Sequence, residues 1–224
     1  MSEDSDALGF SEVETLHRWM SSFCSGSSVS IPDLMYYPPW IIAACLNVRL
    51  KTSKNAVNFY HRLQNMMEVE SFKKISVCLF ACILSQCSEM VLHENEISEN
   101  SQVWTTSMEL LKSCPEVLFC FMEDDKSHIY SHDLQQLRTL LLPNKYSKLL
   151  PIVFFSLLTK CKRDIVEKVK QFPHFKQITI TMNQKFTQLR KTCLENDAYK
   201  SCEKPFQLEF AKEVFQFLRH HTGS

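Results

Sequence analysis

Cys78, Cys82 and Cys87, with His93 beyond them, are the residues whose types could hold a metal, and their spacings are 4 and 5. A structural zinc site brings paired thiolates, typically C-x2-C on a turn, and a second pair at a defined distance. These cysteines instead sit in Val77-Cys-Leu-Phe-Ala-Cys-Ile-Leu84, among Leu, Phe and Ile. Packing as small hydrophobes is the better reading. Glu123-Asp124-Asp125, followed by His128 and His132, has side chains suited to acid–base work. No nucleophile elbow, HExxH helix or glycine-rich phosphate loop accompanies it, so a solvated acidic loop accounts for it. No catalytic residue, metal ligand or cofactor motif is assigned, and an enzyme is not expected.

Charge offers a different chemistry. Residues 1–137 hold 9 Lys/Arg against 18 Asp/Glu, whereas residues 138–191 hold 12 Lys/Arg against only Asp164 and Glu167. Lys160, Lys162, Arg163, Lys168 and Lys170, then Lys176, Lys185, Arg190 and Lys191, form a basic block suited to phosphate contact with DNA or RNA. Arg163, Glu167 and Lys170 stand at i, i+4, i+7, where they could instead pair along one helix surface. The block could equally dock an acidic surface, within the chain or across a dimer. Near the C-terminus Phe206, Leu208, Phe210, Val214, Phe215 and Phe217 cover more than one helical face. A helix apolar around its circumference is either central in a core or shared with a partner.

Helices must position all of these. Phe175, Ile178, Met182, Phe186, Leu189 and Cys193 recur at 3, 4, 4, 3 and 4, one face of a long amphipathic helix. Leu134, Leu137 and Leu141 mark another after Ser131, an expected N-cap, and the last helix is expected to start at Pro205. Further helices are expected over 8–23, 38–51, 54–68, 70–92, 101–113 and 115–122, with loops at 52–53, 93–100, 142–144, 171–174 and 197–204. In Lys148–Leu158, "KLLPIVFFSLL", Pro151 fits a first turn if the helix begins just before it. A start at Asn144 would put a kink there.

The chain has 224 residues, 45% of them hydrophobic, with only three glycines: Gly9, Gly26 and Gly223. Phosphate loops, Rossmann turns and tight hairpins need positive φ, so that scarcity disfavours them and points to an all-α fold. Ten cysteines lying mostly in apolar runs, behind an acidic start "MSEDSDALGF", are expected to be reduced core thiols. No uninterrupted apolar run reaches the ~18 residues of a membrane span, and no membrane contact is expected. Antiparallel helices with short loops suggest an irregular α-solenoid of about ten helices. The expected organisation is a variable segment 1–18, one helical-repeat-like domain 19–220 and a tail 221–224.

Four stretches carry a resemblance: Leu141–Leu158 "LLPNKYSKLLPIVFFSLL", Ser76–Cys87 "SVCLFACILSQC", Pro39–Leu50 "PWIIAACLNVRL" and Leu208–His220 "LEFAKEVFQFLRH". In order and spacing, from about Trp19 to His220, the chain resembles the C-terminal region of the Fanconi anaemia group A family. That resemblance implies a non-enzymatic α-solenoid scaffold, nuclear and also cytoplasmic, within the Fanconi core ubiquitin-ligase complex. The complex promotes monoubiquitination of the group D2 and group I proteins in interstrand crosslink repair, with the ligase activity in another subunit. The family's C-terminal region is linked to self-association and to nucleic acid, and full-length members, far longer than 224 residues, contact a group G partner.

Overall fold

A run of 26 residues, Val69–Glu94, contains neither proline nor glycine and forms the longest helix of the protein. The computed structural model describes residues 3–24, 34–52, 56–94, 96–122, 131–193 and 208–223. Among them the fold is all-α. In chain order come α1 (Glu3–Cys24), a 3-10 turn (Leu34–Tyr36), α2 (Pro39–Thr52), α3 (Ala56–Met66) and α4 (Val69–Glu94). Then follow α5 (Gln102–Ser113), α6 (Val117–Cys120), α7 (Ser131–Leu141), α8 (Asn144–Ser147) and α9 (Leu150–Thr159). Last are α10 (Arg163–Lys170), α11 (Phe175–Cys193) and α12 (Leu208–His221).

The core forms around α4, whose residues Ile75 to Leu84 are buried except Val77. Such a helix needs covers on several sides, and α2, α5, α7 and α9 provide them. Against α2, the Cys82 thiol donates to the Ala43 carbonyl at 3.3 Å, with the small Ala81 and Ala43 both buried. By length and composition α4 is apolar enough to cross a membrane, which counting uninterrupted apolar residues did not register. Its most apolar window is 72% buried inside the protein.

α9 explains "KLLPIVFFSLL". The helix begins at Leu150, so Pro151 stands in its first turn, where a missing N–H costs no intrahelical bond. Leu149 closes that turn by accepting from the Ile152 and Val153 amides at 2.9 and 3.0 Å. Asn144–Ser147 is a separate turn of helix, so no kink arises. The spacing of Ile152, Phe155 and Leu158 suggested one buried face, but every residue from Pro151 to Leu158 is buried. Each large apolar side chain so covered contributes about 1.5–3 kcal/mol.

From α9 an aromatic ladder runs outward. Phe155 meets Phe186 of α11 at 6.0 Å, and Phe186 meets Phe210 of α12 edge-on at 5.6 Å. Ile165, Val166 and Val169 bury one face of α10, and α10 packs on α5 and α11. Ser101 caps α5 by accepting from the Trp104 amide at 3.1 Å. Gly223, at φ +69, takes the left-handed conformation that ends a helix just beyond α12.

Several expected boundaries move. A break at residue 18 falls inside α1, whose Leu16 is fully buried, so at least part of that segment belongs to the core. At the other end, α12 runs on to His221 and Thr222 is buried, so the domain does not stop at 220. α4 takes His93 and Glu94 from the expected loop, and Thr52 closes α2. Pro205, the 197–204 connection and the capping side chain of Ser131 lie outside the described residues. Repeats of a solenoid touch only their sequence neighbours. Here α2 meets α7 and α4 meets α9, an arrangement gathered around one central helix.

Candidate functional site

The cysteines singled out by spacing lie along the core helix. Cys78, Cys82 and Cys87 are fully buried free thiols. Burial pushes Cys82 well above the ordinary thiol range and Cys87 up to about 12, so neither is a reactive thiolate near neutrality. His93, at the exposed end of α4, is not gathered with them. Glu123–Asp125 and His128 lie outside the described residues, as does the side chain of His132.

The nine basic residues are spread from the end of α9 through α10 and α11. Lys160 pairs with Glu99 at 3.4 Å, and Lys170 with Glu167 at 3.1 Å. Lys168 donates to the Lys112 carbonyl at 3.1 Å, just before α5 ends. Lys162, Arg163 and Lys176 are exposed around α10 and the start of α11. Lys185, Arg190 and Lys191 lie on the second half of α11, with Arg190 half-buried. Nine residues along a helix separate Lys176 from Lys185 by about 13 Å.

Lys185 belongs to a groove of about 500 Å³ between α8, the start of α9 and α11. Asn144, Ser147, Lys148 and Pro151 line one side, and Lys185, Gln188, Leu189 and Thr192 the other. Lys148 carries no distinguishing sequence pattern, because only folding brings it opposite Lys185.

The C-terminal apolar residues divide. Val214 and Phe217 are buried, and Phe210 is half-buried against Phe186. Only Phe215, 60% exposed, is seen to face outward. Phe206 lies outside the described residues, as does the side chain of Leu208.

A more apolar surface lies elsewhere, at residues sequence reasoning did not single out. Tyr36 is 85% exposed and Val69 67%, with Met66 and Met35 about half exposed. Lys74 ties the 3-10 turn, which carries Met35 and Tyr36, to α4. Its ammonium donates to the Met35 carbonyl at 2.9 Å and the Tyr37 carbonyl at 2.7 Å, fixing the 3-10 turn onto the start of α4. Only Met67 and Glu68 separate Met66, ending α3, from Val69, opening α4. Periodicity misses these residues because they sit on a short turn and at helix ends, where no helical face is long enough to show a period.

The chain matches no protein-family model, no curated protein and no solved structure.

Proposed function

We propose that this chain is a non-catalytic helical scaffold module that associates with a second copy of itself. The observation that carries this reading is the exposure of Met35 and Tyr36 on the 3-10 turn and of Met66 and Val69 at the α3–α4 junction. Met and Tyr are enriched at protein interfaces, and clustered exposed apolar side chains mark interaction sites. The resemblance to the Fanconi anaemia group A family supplies the setting: the core ubiquitin-ligase complex, in the nucleus and also the cytoplasm, during interstrand crosslink repair. On that reading the group G protein and other core subunits are partners of the full-length chain.

Analytical ultracentrifugation tests self-association. A mass rising with concentration toward a dimer, returned to monomer by Tyr36→Glu with Val69→Glu, is the expected result. A concentration-independent monomer would remove the reading. The cellular setting is tested by co-precipitation with core subunits and by group D2 monoubiquitination after crosslinker treatment, with this chain present or depleted.

A second reading is a nucleic-acid-binding module using residues 138–191. It is favoured by the 12 Lys/Arg against two acids in that segment. DNA or RNA binding should then weaken steeply as salt rises, and reversing Lys162, Arg163 and Lys170 together should weaken it further.

A further inference from the structure

The last turn of α12 serves neither reading. Val214, Phe217, Leu218 and Thr222 bury one face of the helix, at i, i+3, i+4 and i+8. His221 takes the i+7 place on that same face, so helical register carries an imidazole into an apolar seat. Its ring centroid stands 4.6 Å from that of Phe217, and its Nδ1 is shut off from solvent without a hydrogen-bond partner. A neutral imidazole can leave a lone pair there, with its proton on Nε2. An imidazolium carries N–H on both nitrogens, so its Nδ1–H would be buried with no acceptor.

The surrounding charges bear on the same choice. Lys170, Glu167 and Arg163 of α10 act on His221, as does His220 beside it. α9, which also packs on α12, has no ionisable side chain. The α11 contact at Phe210 lies about 16 Å of helix away. Glu167 favours the imidazolium, but it is already paired with Lys170 at 3.1 Å. The negative end of the α12 dipole favours it too. Against them stand burial above all, then Lys170, His220 and Arg163, and the net effect holds the ring below the ordinary imidazole value of 6.5. A seated ring therefore binds its proton more weakly than a released one. Seating is unaffected above pH 6.5 and weakens as the pH falls below it.

We infer that His221 is a pH-operated latch for the end of α12: the neutral ring seats the last turn, and its protonation releases that turn. Two measurements on the full chain test this. Imidazole resonances followed by NMR from pH 8 to pH 5 should place the His221 midpoint below 6.5. Hydrogen exchange read by mass spectrometry reports the seating itself, since the Thr222 amide donates to the Leu218 carbonyl at 2.8 Å in the seated turn. Protection of that amide and its neighbours, corrected for intrinsic exchange rates, should fall about threefold or more between pH 7 and pH 5. His221→Phe keeps a ring against Phe217 that cannot be charged, so protection should no longer depend on pH. His220→Gln should retain the fall. A His221 midpoint at or above 6.5, level protection in the natural chain, a fall surviving His221→Phe, or one lost in His220→Gln overturns the inference. The NMR titration uses the natural chain, so the test stands even where a variant fails to fold.

Discussion

The Gln86 side-chain amide of α4 donates to the Asn47 side-chain carbonyl of α2 at 2.7 Å. Gln86 is buried, and its chain neighbours Ile83, Leu84 and Cys87 are apolar and buried as well. A slide of α2 along α4 would cost the hydrogen bond and leave a buried amide without its partner. The pair therefore fixes the register of the most extensive helix contact among the described residues, where neighbouring apolar contacts are more tolerant.

Asn47→Leu is expected to destabilise the chain by about 1–3 kcal/mol, because Gln86 is left buried with an unmet amide. Adding Gln86→Met removes that amide, and the double variant should recover part of the loss. Urea denaturation of the four combinations measures the coupling. Purely additive losses would show that the two side chains do not act as a unit.

Tyr60 is fully buried against Phe72, their ring centroids 5.2 Å apart. Its hydroxyl lies out of solvent without a hydrogen-bond partner, and burial holds its pKa above the ordinary tyrosine value. Ser76 and Ser113 stand nearby, their protons given to the Phe72 carbonyl and the Gln64 amide oxygen while their oxygens keep lone pairs able to accept. Tyr60→Phe keeps the ring packing and removes an unsatisfied group, so it should raise stability by about 1 kcal/mol. A lower unfolding midpoint would mean that the hydroxyl has a partner in solution.

The core thiols give the protein an alkaline limit. Folding raises Cys82, and raises Cys87 from 9.0 to about 12, both through burial. The folded chain thus holds these protons more tightly than the unfolded chain. The stability Cys87 contributes is intact below pH 9 and is lost between pH 9 and about 12, and that of Cys82 likewise falls as the pH rises past 9. Across that window each thiol contributes a slope of about 1.4 kcal/mol per pH unit. Urea midpoints taken from pH 7 to pH 10.5 should stay level and then fall, and Cys87→Ala should make the fall shallower. A level profile throughout would show that these thiols ionise as readily folded as unfolded.

The all-α fold was legible because glycine scarcity and helical spacing agree along most of the chain. The apolar face Phe175–Ile178–Met182–Phe186 is buried as its spacing implies, and Pro151 sits where a first turn tolerates it. Which apolar helix lies at the centre was less legible. "PWIIAACLNVRL" and "SVCLFACILSQC" read alike, yet Trp40 and Val48 of the first are exposed while the second is almost wholly covered. That difference depends on how many neighbours a helix has, a property of packing that the sequence of one helix does not contain. The same holds for Lys148 opposite Lys185. Residues brought together from different elements leave no period to find.

The placement of α4 sets the order in which this protein can be made. Its covers are not all next to it in the chain, since α9 lies more than fifty residues after the end of α4. A ribosome adds ~5–20 residues per second, so α4 spends several seconds outside the exit tunnel before α9 emerges. For that interval the nascent chain leaves the α9 side of α4 uncovered, on a helix whose apolar window has the length of a membrane span. A premature stop before Leu150 would make that interval permanent, giving a product prone to aggregation, chaperone capture or insertion into a bilayer.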